Sequence, residues 1–372
     1  MDRKMTTTKE ILFKPSKLGK LEASNKLAVA PMTRVSANED GTVGPLMKEY
    51  YEGYADGGFG LIITEGLYTD KLFSQGYRKQ PGISSVKQAN SWRPIVESVQ
   101  QKGAIIIAQL MHAGALSQYN PFANTAMAPS EVQPLGEQMP FYYGDGPYRL
   151  PRSLTTSDIK EVVEGFVFSS LLAKQAGFNG VEIHGANGYL LDQFLTQYTN
   201  LRTDEYGGDL VNRLRIFKEI IEAVRQSVGQ DFIVGVRFSQ KKVNDLDYEW
   251  PEGESAAETT FKLMRECGVD YIHTTEPVLS VPAFEGSASL ASLAKRISGL
   301  PIIANGGVVE PQLAINVIGN GNADFVSIGK AALANQDWPN LVKRSEDTNM
   351  FDFAMLAPIA DLENSKRYLK NM

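Results

Sequence analysis

Cysteine is almost absent from this sequence, since Cys267 is the one cysteine among 372 residues. A lone cysteine excludes an intramolecular disulfide and any cysteine-based zinc or iron–sulfur framework within the chain. It also favours a reducing compartment, so we expect a cytoplasmic protein with no metal centre.

Excess positive charge and long apolar runs are also lacking. The chain has 37 Lys and Arg against 43 Asp and Glu, a formal net charge of -6 and a pI near 5.4. Without a basic surface, nucleic acid is not expected as a partner. No stretch approaches the roughly 18 apolar residues of a membrane span, and the first residues lack the apolar core of a signal peptide. We therefore expect no membrane partner, while a homo-oligomer stays open.

Two nucleotide-binding fingerprints are missing as well. No GxGxxG follows a strand, and no GxxxxGK[ST] occurs. A dinucleotide site of the Rossmann type and a P-loop are therefore unsupported.

What the sequence does contain is a regular alternation of apolar strands and amphipathic helices. Strands are predicted at residues 26–32, 59–64, 104–110, 181–184, 232–238, 269–275, 301–307 and 323–329. Helices are predicted at residues 45–56, 92–101, 157–175, 214–228, 256–266, 290–297, 312–318 and 331–343. Apolar strands separated by helices indicate a parallel sheet covered on both faces, and a count of eight favours a closed (β/α)8 TIM barrel. A doubly wound open sheet is the alternative.

No linker or composition shift divides the chain, so we predict one domain over residues 1–372. Residues 1–25 contain a predicted hairpin, formed by the alternation from Ile11 to Leu21, that would close one barrel end. Residues 112–156 are too long for a plain connector and are predicted to cap the barrel after the third strand. Residues 347–372 form a tail with a short helix near 361–369.

The stretch from Val181 to Gly208 carries the strongest candidates for chemistry, namely His184, Asn187 and Tyr189. The strand is expected to end at His184, with Gly185 and Gly188 turning the backbone. In a barrel this is the active-site face, where His184 and Asn187 could donate hydrogen bonds to one substrate oxygen and Tyr189 could offer a proton. Taken singly, each residue could instead be structural.

Other polar residues are predicted at the same mouth because they follow or end strands. They are Thr33, Gln109, His112, Arg237 and His273. For His112 and His273 we favour a structural role, in which each hydrogen-bonds loop backbone. Gly306 and Gly307 follow the seventh strand, and Gly329 and Lys330 follow the eighth, where barrels commonly bind phosphate. Bare backbone N–H groups with one cation would suit a dianion.

Together these residues resemble the old yellow enzymes, the NADH:flavin oxidoreductases or ene-reductases built on an FMN-binding TIM barrel. The resemblance covers nearly the whole chain. It rests on APMTR at 30–34, GLIITEG at 60–66, AQLMHAG at 108–114, EIHGANGYLLDQFL at 182–195, RTDEYGG at 202–208 and VRFS at 236–239. Another branch of the family has cysteine where this chain has Thr33, and a second histidine can occur where it has Asn187. These two residues therefore place the chain nearer the branch that has threonine and asparagine.

The resemblance implies FMN as cofactor and NADH or NADPH as reductant. Its implied cofactor-binding residues are Ala30, Pro31, Met32, Thr33, Gly66, Gln109, Arg237, Gly306, Gly307, Gly329 and Lys330. Arg237 would face the part of the flavin where negative charge grows on reduction. Lys330 stands where the family usually has arginine, so the charge is kept and the bidentate fork is lost.

The implied activity is reduction of activated alkenes, enones and nitroalkenes, by a ping-pong reaction. His184 and Asn187 would be catalytic by binding the acceptor oxygen, and Tyr189 would donate the proton. Two alternatives stay open. One is another flavin barrel, of the dihydroorotate dehydrogenase or dihydrouridine synthase type, and the other is a flavin-binding barrel without turnover.

Overall fold

The computed structural model describes residues 8–370. Residues 1–7 of the predicted N-terminal region and residues 371–372 of the predicted tail therefore lie outside the described residues. Eight parallel strands form the centre of the fold, at Leu27–Val29, Leu61–Ile63, Ile105–Met111, Gly180–Asn187, Ile233–Lys242, Tyr271–Thr275, Ile302–Asn305 and Phe325–Ile328. Each strand pairs with the next, and the last pairs with the first, so that the sheet closes on itself. The TIM barrel is confirmed, and the open-sheet alternative is wrong.

Helices cover the outside of this ring. The α-helices are Pro45–Asp56, Val86–Gln101, Thr156–Ala176, Leu190–Leu195, Leu210–Arg213, Arg215–Val228, Glu254–Glu266, Leu290–Ser298, Pro311–Gly319, Lys330–Ala334, Trp338–Arg344 and Leu362–Lys370. One large apolar core fills the space between helices and strands. Among residues 8–370, no helix has both the length and the apolar character needed to cross a membrane.

Two predicted helices differ from the structure by more than one or two residues at an end. The helix predicted from residue 92 begins at Val86, because the Ser85 side chain caps it by accepting a hydrogen bond from the Gln88 N–H. The helix predicted at 331–343 is divided in two around Asn335, whose backbone is extended. Pro339 has no N–H to donate to the carbonyl of Asn335, so a continuous helix would lack that bond.

The N-terminal hairpin is shorter than predicted. Lys9–Phe13 is a 3-10 helix, and the hairpin consists of Ser16–Leu18 paired with Leu21–Ala23. Leu18 and Ala23 pack with Tyr271 and other side chains inside the barrel. The hairpin therefore packs against the end of the barrel at which the strands begin.

The fourth barrel strand continues to Asn187 and does not end at His184. Gly185 does not break it, because this glycine serves packing: a Cβ there would lie 2.2 Å from the Phe217 ring. Pairing with the neighbouring strand also continues, since Asn187 pairs with Lys242. The chain turns at Asn187 and Gly188, whose φ values are +63° and +87°. His184 and Asn187 therefore both lie in the strand. The prediction that the strand ends at His184, so that Asn187 follows it, is wrong.

The segment at 112–156 and the tail both contain local structure. The segment has 3-10 helices at Gly114–Leu116 and Pro140–Tyr142, and Met127–Ala128 pairs in parallel with Arg152–Ser153. In the tail a 3-10 helix at Phe353–Leu356 precedes the last α-helix. Both segments reach the carboxyl-terminal mouth of the barrel.

Candidate functional site at the carboxyl-terminal mouth

A cavity of about 310 Å³ opens at the carboxyl ends of the strands. Twelve of the fourteen predicted site residues line it: Ala30, Pro31, Met32, Thr33, Gly66, Gln109, His184, Asn187, Tyr189, Arg237, Gly329 and Lys330. These residues come from six different strand ends, so the closed barrel brings together positions that are far apart in sequence.

Gly306 and Gly307 do not line this cavity. Both have positive φ, and a Cβ at Gly306 would lie 2.0 Å from the carbonyl oxygen of Glu276. At Gly307 the nearest atom, the carbonyl oxygen of Pro277, would be 2.9 Å away. Both glycines thus have a packing reason to be present, and their role in holding phosphate stays a prediction.

The two other histidines also lie outside the cavity lining. His112 accepts a hydrogen bond at Nδ1 from the backbone N–H of Gly114, at 3.1 Å, in line with the structural role we favoured. His273 was expected to bond loop backbone, but its ring contacts the Glu182 carboxylate and the Ser327 hydroxyl, both at 2.9 Å. That expectation is wrong because its strand directs the side chain into the barrel interior.

Several lining residues were not predicted. Met139, Phe141 and Tyr142 come from the 112–156 segment, Phe351 and Leu356 come from the tail, and Asn305 ends the seventh strand. Asn305 could have been found from its position just before Gly306. The aromatic residues carry no local signal, because only the chain path over the mouth brings them there.

Below the cavity, Glu182 is a fully buried carboxylate inside the barrel. It accepts hydrogen bonds from Gln109 Nε2 at 2.8 Å and from the Tyr271 hydroxyl at 3.0 Å. Burial alone would raise the pKa of Glu182, but contact with His273, the charge of Arg237 and the bond from Gln109 together lower it to about 2. The carboxylate therefore holds Gln109 in place by accepting one of its amide hydrogens.

Arg237 supplies a positive charge at the cavity floor. It is 4% exposed, and burial lowers its pKa to about 10, so it remains protonated at pH 7. One guanidinium nitrogen, Nη2, donates to Asn305 Oδ1 at 3.2 Å. Its Nε is buried without a hydrogen-bond partner in the protein. A buried donor of this kind ordinarily has a partner, which suits an acceptor on a molecule bound in the cavity.

His184 and Tyr189 lie side by side, with ring centroids 5.2 Å apart. Burial, followed by the charge of Arg237, lowers the pKa of His184 to about 3, so the imidazole is neutral at pH 7. Its Nδ1 is buried and has no partner in the protein. Burial raises the pKa of Tyr189, which keeps its proton. The site therefore offers neutral donors beside a fixed cation.

Gly329 and Lys330 follow the eighth strand and line the same cavity. A Cβ at Gly329 would be 3.7 Å from Met32 Sδ and 3.8 Å from Ala30 Cβ, so packing does not require a glycine there. Lys330 is exposed, with Nζ 4.7 Å from the centroid of the Phe353 ring. An accessible cation beside an unobstructed backbone fits an anionic group such as phosphate. FMN therefore suits the residues that line the cavity.

Among residues 8–370, no cluster of three or more His, Cys, Asp and Glu side chains could hold a metal ion.

Comparisons with known proteins agree with this geometry. The model of the NADH:flavin oxidoreductase / NADH oxidase family matches residues 11–349. An NADH oxidase of Thermoanaerobacter brockii is 33% identical over 353 residues, which cover 91% of this chain but only 52% of that protein. The chain thus spans about half of that relative. A putative 12-oxophytodienoate reductase 4 of Oryza sativa subsp. japonica is 34% identical over 370 residues, 97% of this chain and 90% of that protein.

Solved structures show the same likeness. An old yellow enzyme homologue from Zymomonas mobilis superposes with a TM-score of 0.83 at 30% identity, over 91% of this chain and 94% of that one. Morphinone reductase in complex with tetrahydroNAD gives a TM-score of 0.82 at 32% identity, over 92% of both chains.

Proposed function

Because the chain belongs to the NADH:flavin oxidoreductase / NADH oxidase family, and is thus an FMN-dependent oxidoreductase, we propose that it reduces activated alkenes with electrons from NADH or NADPH. The acceptors would be enones and nitroalkenes, and the reaction would be ping-pong. One cavity is lined by all the proposed substrate-binding residues, which suits two substrates that take turns. The names of two relatives, morphinone reductase and 12-oxophytodienoate reductase, point to oxo compounds as acceptors.

The proposed cofactor site divides into three parts. Ala30, Pro31, Met32 and Thr33 would line the flavin ring, Gly66 would lie against it, and Gln109 would bind its pyrimidine edge. Arg237 would stabilise negative charge with the donor that has no partner in the protein. Gly329 and Lys330, with Gly306 and Gly307, would hold the phosphate. When bound, FMN supplies the two-electron chemistry that the amino-acid side chains cannot perform.

The acceptor oxygen would lie between His184 and Asn187. Since His184 is neutral at pH 7, it can donate one ring N–H without leaving a second charge beside Arg237. The Asn187 amide can donate a second hydrogen bond to the same oxygen. Two donors aimed at one oxygen draw electron density from the conjugated carbon–carbon bond, so that its far carbon becomes electron-poor.

Tyr189 would donate the proton that completes alkene reduction. The residue is 6% exposed and keeps its proton because burial raises its pKa. Tyr189 lies beside His184. One bound enone could therefore place its oxygen at the histidine and the alkene carbon next to its carbonyl group at the tyrosine. This juxtaposition of His184, Asn187 and Tyr189 in one cavity is the observation that carries the proposal.

The test starts from the purified protein. Its flavin is released by acid and identified, and the protein is then titrated anaerobically with NADH and with NADPH in a stopped-flow instrument. We expect released FMN and bleaching by at least one nicotinamide, followed by reoxidation with electron-poor alkenes. A yellow protein that neither nicotinamide bleaches would favour a flavin-binding barrel without turnover. Bleaching without reoxidation by any enone or nitroalkene would remove the proposed acceptor class.

A further inference from the structure

A buried ion pair lies directly behind the turn that carries Asn187 and Tyr189. We propose that Asp192, whose charge Lys242 balances, is a positioning residue that holds the Asn187–Tyr189 turn so that both side chains serve the same acceptor. The inference rests on the proposed function for the roles of Asn187 and Tyr189. Its structural part concerns only how the turn is held.

The pair is isolated from solvent and bonded to the turn. Asp192 Oδ1 lies 2.7 Å from Lys242 Nζ, and the two side chains are 0% and 2% exposed. The second carboxylate oxygen, Oδ2, accepts a hydrogen bond of 2.6 Å from the backbone N–H of Gly188. Gly188 is the residue between Asn187 and Tyr189, so the carboxylate holds the centre of the turn.

The turn needs such support because its backbone is unusual. Asn187 has a φ of +63° and Gly188 a φ of +87°. A residue other than glycine in this left-handed region persists only where its surroundings hold it. Lys242 also pairs with Asn187 across the two strands, and the Asn187 N–H donates to Ser239 Oγ at 2.8 Å. Together these contacts connect the turn to the fifth strand.

Stability alone is a poor reason for this ion pair. Removing two charges from water costs free energy that their attraction offsets only partly. Well-packed apolar residues at the same positions therefore often stabilise a core at least equally. Neither Asp192 nor Lys242 lines the cavity, which means that neither would touch a substrate there. The geometry instead connects the pair to the proposed site through the Gly188 N–H and through the pairing of Lys242 with Asn187, as expected of residues that orient others.

Two charge-neutral double variants separate positioning from charge. Asp192→Asn with Lys242→Met removes both charges and retains an oxygen that can accept from Gly188. Asp192→Leu with Lys242→Met also removes both charges but leaves the Gly188 N–H without an acceptor. Lys241→Met is the matched control, since Lys241 lies on the same strand and its Nζ contacts Glu249 at 3.2 Å.

The readouts are bound FMN, the dissociation constant of 4-chlorophenol, and reoxidation of the reduced enzyme by an enone and by a nitroalkene. The asparagine double variant and Lys241→Met should stay close to the parent. The leucine double variant should retain FMN, bind the phenol up to about 100-fold more weakly, and reduce the enone disproportionately slowly, as misplaced groups do. If the two double variants behave alike, or if the leucine variant loses FMN and phenol binding together, the proposal is wrong.

Hydrogen exchange distinguishes this inference from the proposed function. Peptides that cover Gly188 should exchange faster in the leucine double variant than in the asparagine one, whether or not the parent reduces any alkene. Failure of the parent to reduce alkenes would contradict the function only. Equal exchange in the two variants would contradict the positioning role only.

Discussion

The hydroxyl groups of Tyr77 and Tyr189 are hydrogen-bonded to each other, although 112 positions separate the two residues in the chain. Tyr77 is fully buried, and its ring packs against Tyr142, with centroids 4.9 Å apart. The proposed proton donor therefore has a fixed partner that holds its hydroxyl. Tyr77 was not among the predicted site residues, because nothing in its local sequence connects it with Tyr189.

Tyr189→Phe should separate the two halves of the reaction. Reduction of the enzyme by NAD(P)H needs no proton from this residue, so its rate should stay near that of the parent. Reoxidation by an enone should slow by roughly 10²–10⁴-fold, the usual contribution of a positioned general acid. Reoxidation by a nitroalkene, whose product anion is stable, should change little. Stopped-flow measurement of both half-reactions checks this.

Tyr148→Phe is the control for that experiment, since Tyr148 belongs to the same buried cluster but does not line the cavity. It should leave both half-reactions unchanged. Equal slowing of enone and nitroalkene reduction in Tyr189→Phe would mean that Tyr189 shapes the cavity and that the proton comes from elsewhere.

Tyr77→Phe should have a smaller effect on the same step. Burial raises the pKa of Tyr189, and the hydrogen bond from Tyr77 lowers it in part. Without that bond Tyr189 becomes a weaker acid. Enone reoxidation should slow by roughly two- to thirteenfold, the equivalent of one hydrogen bond of about 0.5–1.5 kcal/mol. The double variant Tyr77→Phe/Tyr189→Phe should be no slower than Tyr189→Phe, and an additive loss would contradict this coupling.

Removal of His184 and Asn187 should weaken phenol binding strongly. In the parent, a phenol should bind as the phenolate and give a long-wavelength charge-transfer band with oxidised flavin. The double alanine variant should lose the band and bind the phenol at least about 100-fold more weakly, since hydrogen bonds to a charged group contribute roughly 1.5–3 kcal/mol each. Asn244→Ala, outside the cavity lining, serves as control. Unchanged phenol affinity in the double variant would make both residues structural.

The same titration has an expected pH profile. Burial lowers the pKa of His184 to about 3, so the imidazole stays neutral from pH 5 to 8. Phenol affinity should therefore follow ionisation of the phenol and show no additional step near pH 6.5, where an unperturbed histidine titrates. A step there that disappears in His184→Gln would contradict the neutral imidazole.

Lys330 should contribute to FMN affinity. Lys330→Ala should weaken FMN binding by about 1.5–3 kcal/mol if the ammonium contacts phosphate. Lys330→Arg should bind FMN at least as tightly as the parent, because a guanidinium can form two parallel bonds to phosphate. Flavin fluorescence during dilution measures the release. Lys343→Ala, a lysine outside the cavity lining, is the control, and equal FMN affinity in all variants would exclude Lys330 from the site.

Glu65 should make stability depend on pH. Burial raises its pKa to about 7 from 4.5, so between these values the folded protein retains a proton that the unfolded chain releases. The contribution of Glu65 to the free energy of unfolding is therefore complete below pH 4.5 and is lost as pH rises through 7. The Glu65 carboxyl group accepts a hydrogen bond of 3.0 Å from the backbone N–H of Arg34, and a glutamine could accept the same bond.

Glu65→Gln should consequently gain stability relative to the parent as pH rises from 5 to 8, by at most roughly 3 kcal/mol. Urea unfolding of the FMN-bound protein at both pH values measures the difference. Glu22→Gln, at an exposed position, should show none. The same stability difference at pH 5 and pH 8 would mean that Glu65 is ionised in the folded protein.

Local sequence was sufficient for the number and type of the main elements. Each barrel strand is a short apolar run followed by a helix with an apolar face, and these patterns act within a few residues. Tertiary contacts set the limits of these elements. The fourth strand continues through Gly185, where the Phe217 ring occupies the space of a side chain. The residues that flank Gly185 or Phe217 in the sequence do not predict this contact.

The sequence by itself determined the barrel and eight of the residues that line its cavity, because parallel strands of a closed barrel necessarily end at one face. The family resemblance implied four more, Ala30, Pro31, Met32 and Gly66. Tertiary structure alone decided the partners of those residues. The bond between Tyr77 and Tyr189, the position of Phe353 beside Lys330, and the pair of Asp192 with Lys242 all join separate elements. Such contacts depend on how segments pack over the mouth, and no periodicity in the chain encodes that packing.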